Sequence, residues 1–216
     1  MTKKLNSRRS EMIPSNFKFM SRIIWMLMGL LVYGSVACSP PFEKMDSATV
    51  YIRCPKGSGF GSGFLIDQGR HVVTNWHVAV KCVNKGTLKV IHQNGQKSRV
   101  GLLGYDERKD LAILGLKTPF SGYNAPLVPS NLVQKMDDIW VNGYPGAAFG
   151  IGDQNTSLEP TSTKGIISRK VSSNRVKMFQ IDAAVNPGNS GGPVFNELGI
   201  AGIATLKSLV EVMKNT

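Results

Sequence analysis

The segment Gly188-Asn189-Ser190-Gly191-Gly192-Pro193 sets a serine inside a glycine-rich turn. Glycines let backbone N–H groups converge beside a hydroxyl, which is what stabilising an oxyanion requires. The same composition also makes plain loops, so the turn gains meaning only from partners elsewhere. Thr74-Asn75-Trp76-His77-Val78 places a histidine after a β-type run, and Asp110-Leu111-Ala112-Ile113-Leu114 places an acid at the head of another. A serine hydroxyl is a weak nucleophile near neutral pH without an adjacent base. A histidine can be that base, and a buried carboxylate can fix its tautomer and stabilise the imidazolium. Asp106 and Glu107 compete for the acid's role, but Asp110 leads directly into an apolar strand. The glycine–serine turn also satisfies the G-x-S-x-G elbow of esterases, which demands the order Ser, acid, His. The order here is His, Asp, Ser, which excludes that fold.

The elements that must position these residues read as strands and turns. Short β-branched or aromatic runs occupy 48–53, 63–66, 71–74, 87–92, 98–103, 111–114, 138–142, 163–168, 177–181 and 199–205, with Gly, Asn, Asp or Pro in nearly every gap. Many short, evenly spaced strands predict an all-β sandwich or barrel. Residues 76–81 have room for one helical turn. The stretch 118–131, with Pro119, Gly122, Pro126 and Pro129, is the expected boundary between two β halves.

TNWHV, DLAIL and NPGNSGGP together resemble the three motifs of the chymotrypsin-like serine proteases, specifically the HtrA/Deg-type and related trypsin-like branch. Gly61-Ser62-Gly63-Phe64, Gly143-Tyr144-Pro145 and Lys164-Gly165-Ile166-Ile167-Ser168 fall in that family's order, and the resemblance covers roughly residues 47–205. It implies two antiparallel six-stranded β-barrels with the active site between them: an amino-terminal barrel over 47–125 carrying His77 and Asp110, and a carboxyl-terminal barrel over 126–216 carrying Ser190. It implies Ser190 as nucleophile, His77 as general base and then acid, Asp110 as the orienting acid, and the N–H groups of Gly188 and Ser190 as the oxyanion hole. It implies no cofactor and no metal, and protein or peptide substrates. Asn189 stands where digestive members carry the aspartate that pairs with a new amino-terminus, so that activation switch is absent. Ala184 stands where trypsins carry an acid, which favours a small or medium aliphatic residue at the cleavage site. Thr205, Leu206 and Lys207 are expected to line the same specificity pocket. Asp182, on the strand entering the serine turn, is expected to be structural, as are His71 and His92. The eleven residues after Thr205 are expected to hold a last strand at Leu209–Met213, a short helix or a truncated stub, and no PDZ domain.

The front of the chain differs in kind. Residues 1–22 carry six bases against one acid, and Ile23–Ala37 is an uncharged run of 15 residues ending in Ser35-Val36-Ala37. These are the parts of a secretory signal; the run is short for a membrane span, and an uncleaved anchor over 1–37 is the alternative. Either sends the remainder out of the cytosol, to a periplasm, cell envelope or medium, with attachment to a membrane through the amino-terminus as one outcome. Gly34–Cys38 resembles a bacterial lipobox, with Cys38 as the lipidated residue. The chain has 26 Lys+Arg and 14 Asp+Glu; setting the leader aside leaves +7 on residues 39–216. That balance favours acidic partners such as anionic lipid or envelope polymers. The bases are scattered rather than clustered on a recognisable module, so a nucleic-acid partner is not expected.

Three cysteines are too few for a disulfide framework. Cys54 ends the first strand and Cys82 lies five residues past His77, so a bridge would tie down the segment carrying the base. Two free thiols are the alternative, and a zinc site finds no tight ligand spacing. Two function classes follow: an exported serine endopeptidase acting through an acyl-enzyme, and a catalytically impaired binding or chaperone-like protein on the same scaffold.

Overall fold

The computed structural model describes residues 42–54, 59–83, 88–146, 158–173 and 176–205. The leader, Cys38, Leu206, Lys207 and the expected last strand at 209–213 lie outside the described residues. Among those described, no helix is long and apolar enough to cross a membrane.

Most elements are strands, as their β-branched composition demands. A short helix α1 (Phe42–Ala48) leads into β1 (Thr49–Arg53), β2 (Phe60–Ile66) and β3 (His71–Thr74). Helix α2 (Trp76–Val83) follows, then β4 (Leu88–His92), β5 (Lys97–Asp106) and β6 (Leu111–Leu116). These six strands close a barrel in the order β1-β2-β3-β6-β5-β4, every pairing antiparallel. Alternation along each strand sends one face inward: in β4, Leu88, Val90 and His92 are buried while Lys89 is exposed. The inward set (Val50, Ile52, Leu65, Val72, Val90 and Leu114) is fully removed from water, each worth about 1.5–3 kcal/mol.

A second sheet is built from β7 (Asp138–Gly143), β8 (Thr161–Ser173), β9 (Val176–Ile181), β10 (Pro193–Asn196) and β11 (Gly199–Ile203), in the order β11-β10-β7-β8-β9. Its core is Val133, Ile139, Val141 and Ile167. The chymotrypsin-like class is thus present as one closed six-stranded barrel and a five-stranded half-barrel among the described residues. A third cluster joins them, with Met45 and Ala48 of α1 and Phe64 of β2 packed with Trp140, Phe195 and Ile200. The segment between β6 and β7 turns at 130–132 and again at 135–136, and Leu127 makes a parallel bridge to Ile200.

Candidate active site

His77 sits in the first turn of α2, where helix N–H groups have no intrahelical acceptor. The Asp110 carboxylate supplies one: Oδ1 accepts the His77 backbone N–H at 3.0 Å, while Oδ2 lies 2.7 Å from Nδ1 of the His77 ring. One carboxylate therefore caps the helix and orients the imidazole that the helix carries. With Nδ1–H donating to Asp110, Nε2 is the nitrogen left to accept a proton. Asp110 reaches this position from the end of a tight turn, at a left-handed φ of 53°, a conformation Asp tolerates better than most residues. Asn75, just before α2, holds the acid's backbone by donating its side-chain amide to Asp110 O at 2.9 Å.

Burial pushes the Asp110 carboxyl up, but the hydrogen bonds from the His77 ring and backbone, the charge of His77 and the Thr205 hydroxyl outweigh it and leave it below the ordinary carboxylate range. Thr205 Oγ1 donates to Asp110 Oδ2 at 3.0 Å. The residue expected to line the specificity pocket thus donates its hydroxyl to the acid. Of the competing acids, Asp106 is engaged elsewhere, accepting the N–H groups of Arg108 and Lys109 at 3.0 and 3.1 Å, and Glu107 is exposed.

Ser190 is almost fully buried, in a turn braced from both sides. Gly188 and Gly191 have φ of 107° and 87°, which glycine alone adopts freely. A Cβ at Gly188 would strike Tyr144 O, and one at Gly191 would strike Ser62 O and the Thr74 hydroxyl. The turn lies against the barrel through Ser62, whose N–H donates to Ser190 O at 2.9 Å and whose Oγ donates to Gly188 O at 2.7 Å. Ser62 Oγ also accepts the Tyr144 N–H at 2.8 Å, and Ser62 O accepts from Thr74 Oγ1 at 2.7 Å. Ser62 is fully buried and connects the serine turn to β3, the strand that leads into the helix bearing His77. In the sequence Ser62 stands out only as part of the Gly61–Phe64 motif, with no role attached; its signal is a small polar residue between glycines in a buried strand. A Cβ at Gly61 would meet Val78 at 2.7 Å and Ser190 O at 3.1 Å, so the residue after the histidine and the serine's carbonyl flank one glycine.

Backbone geometry also orients the peptide before Gly188. Gly146 N–H donates to Pro187 O at 2.8 Å; since the peptide is trans, the Gly188 N–H points the opposite way. Among the described residues, neither Gly188 N–H nor Ser190 N–H has a hydrogen-bond acceptor. Ala184 is exposed, with its carbonyl accepting from Thr163 Oγ1 at 2.8 Å. Asp182 Oδ1 accepts the Ile166 N–H at 2.6 Å, a bracing role. His92 is buried with Nε2 2.9 Å from Ser47 O, and His71 lies 3.0 Å from Asp67 at the surface. Cys54 and Cys82 are joined in a disulfide that links the end of β1 to the helix bearing His77.

Residues 61–200 match the family model described as "Trypsin-like peptidase domain". The Synechocystis protein carrying the name serine protease HhoB is 33% identical across 70% of this chain and 35% of its own length. A Chlamydia trachomatis protein named as a DegP-like periplasmic serine endoprotease is 32% identical across 67% of this chain and 28% of its own. The crystal structure of a serine endoprotease from Yersinia pestis superposes with a TM-score of 0.61 at 30% identity, covering 77% of this chain and 56% of that one. The chain spans about a third of the length of these curated relatives. The family match begins at the strand holding Ser62 and runs past the Ser190 turn, so one lineage accounts for both halves of the site: the chain belongs to the trypsin-like peptidase domain family.

Proposed function

We infer that the chain is a serine endopeptidase in which Ser190, His77 and Asp110 act as nucleophile, base and orienting acid. The observation that carries this is the double grip of Asp110 on His77, through Nδ1 at 2.7 Å and the backbone N–H at 3.0 Å. It fixes the tautomer that leaves Nε2 as proton acceptor. Ser190 Oγ attacks the scissile carbonyl carbon as its proton passes to His77 Nε2. The tetrahedral oxyanion is received by the N–H groups of Gly188 and Ser190. His77 then gives its proton to the leaving amine, an ester to Ser190 Oγ remains, and water attacks that ester with His77 again as base.

In this reading residues 47–125 and 126–216 are two domains contributing one half of the machinery each. The exposed Ala184 beside the turn favours a small or medium aliphatic residue on the acyl side. Export follows from the basic leader, its apolar run and a disulfide, a bond that persists in oxidising compartments; the periplasmic name borne by the Chlamydia relative agrees. Hydrolysis of an unfolded protein by the purified chain tests the reading. Wild type should cleave it, and Ser190→Ala and His77→Ala should each lose at least about 10⁴-fold. Cleavage undiminished in Ser190→Ala would refute it, and a folded but inert wild type would leave the binding or chaperone-like role.

A further inference from the structure

The outer face of the closed barrel carries its charge in an order the sequence does not display. Register sets Phe60 of β2 opposite Arg53 of β1, Arg53 opposite Lys89 of β4, and Lys89 opposite Arg99 of β5. Directly opposed residues share a face, and all four are exposed. Lys97 stands on the same face two residues from Arg99, opposite Ile91. Neighbouring strands lie about 4.8 Å apart, so the three cations of the row span roughly 10 Å. Like charges placed directly opposite weaken a sheet. Among the described residues, no carboxylate lies within ion-pair distance of Arg53, Lys89, Lys97 or Arg99. Strands β1 and β4 contain no acid, and the acid of β5, Asp106, stands at its far end beside Arg108 and Lys109.

One end of this row borders the serine turn. Phe60 is 40% exposed, and its ring stands 2.6 Å from where a Cβ would sit at either Gly188 or Gly146. Ala184 is held by β8 of the second sheet, whereas Phe60 belongs to the barrel, with the Gly188–Ser190 turn braced between them. A peptide whose acyl side meets Ala184 therefore sends its leaving side towards Phe60 and the cations beyond.

Resting on the peptidase reading above, we propose that this strip is an exosite for an acidic segment of the polypeptide substrate, on the leaving-group side of the scissile bond. The first residues past the bond meet Phe60, and the acidic residues that follow meet Arg53, Lys89 and Arg99. An extended chain advances about 3.3 Å per residue, so about three successive residues span the row.

Two fluorogenic peptides test this, identical through the second leaving-side residue and continuing with Asp-Glu-Asp-Glu or Asn-Gln-Asn-Gln. At low salt the acidic peptide should have a kcat/KM about tenfold higher, gained through KM. About 0.5 M salt should remove the difference. The Lys89→Gln/Arg99→Gln double variant should also remove it while leaving kcat/KM on the neutral peptide within about twofold of wild type. Equal rates in wild type, or a preference that survives the double variant, overturns the proposal. If wild type cleaves neither these peptides nor an unfolded protein, the peptidase reading fails by itself, and fluorescence anisotropy of the same peptides decides the strip. Binding about tenfold tighter for the acidic peptide, lost in the double variant, supports it, and equal binding overturns it. Sedimentation with phosphatidylglycerol vesicles that the double variant abolishes, without any peptide preference, would replace the acidic segment by a membrane surface.

Discussion

The hydroxyl of Ser62 donates to the carbonyl of Gly188 at 2.7 Å, across 126 positions of sequence. Because the same oxygen accepts the Tyr144 N–H at 2.8 Å, a buried residue of the first barrel locks the turn that presents Ser190 against the second sheet.

Replacing Ser62 by Ala leaves the buried Gly188 carbonyl and Tyr144 N–H without their partner, at a cost of about 2 kcal/mol in stability. The turn loses its brace where the oxyanion donors must hold position, so kcat should fall about 10²-fold with KM nearly unchanged. Steady-state kinetics beside a thermal melt checks this. Thr49→Val removes another buried hydroxyl, one that donates to Met45 O at 2.8 Å away from the serine turn, and should cost stability without lowering kcat.

Thr205→Val removes a donor that helps hold the Asp110 carboxyl below its ordinary range. A depressed carboxylate contributes stability that is present above its unfolded value, about 3.9, and is lost as pH falls through the folded value. In the variant the folded value lies closer to the unfolded one, so that loss is smaller and is complete at a higher pH. The acid limb of kcat/KM should therefore move upward, the variant's thermal stability should lie below wild type at neutral pH and approach it in acid, and at neutral pH kcat should drop several-fold. A pH series of melts and rates, wild type against variant, reads both.

The Cys54–Cys82 bridge closes a loop with a sequence separation of 28, worth about 3.5 kcal/mol on the loop-entropy model. Both sulfurs are buried. Cys54→Ala/Cys82→Ala should lower the unfolding free energy by about that amount. It should also loosen α2 enough to lower kcat. Urea unfolding followed by kinetics on the folded fraction checks both expectations.

The barrel strands were legible because their alternation is dictated by burial: Leu88, Val90 and His92 turn inward against Val50 and Ile52. Strand β10 was missed because it is four residues long and begins at Pro193, which reads as a turn residue. Helix α1 was missed because its seven residues hold a helix chiefly by burying Met45 and Ala48 against Phe195 and Ile200, far along the chain. His77, Asp110 and Ser190 stood out as candidates by residue type and local context, and the structure joins the first two. Ser62 and the acid-binding role of Thr205 did not, since each depends on a partner about a hundred positions away. The cationic row is the clearest case of the same limit. Arg53, Lys89 and Arg99 look scattered along the sequence, and only the register of β1, β4 and β5 lines them up.

Labelling of the purified chain with a fluorophosphonate probe, followed by peptide mass mapping, reads whether Ser190 is an activated nucleophile held ready by His77 and Asp110. One adduct is expected, on Ser190, absent in Ser190→Ala and slowed by about 10⁴-fold in Asp110→Asn, where the histidine loses its tautomer. A folded chain that takes no label, or one labelled elsewhere with Ser190 untouched, would contradict it.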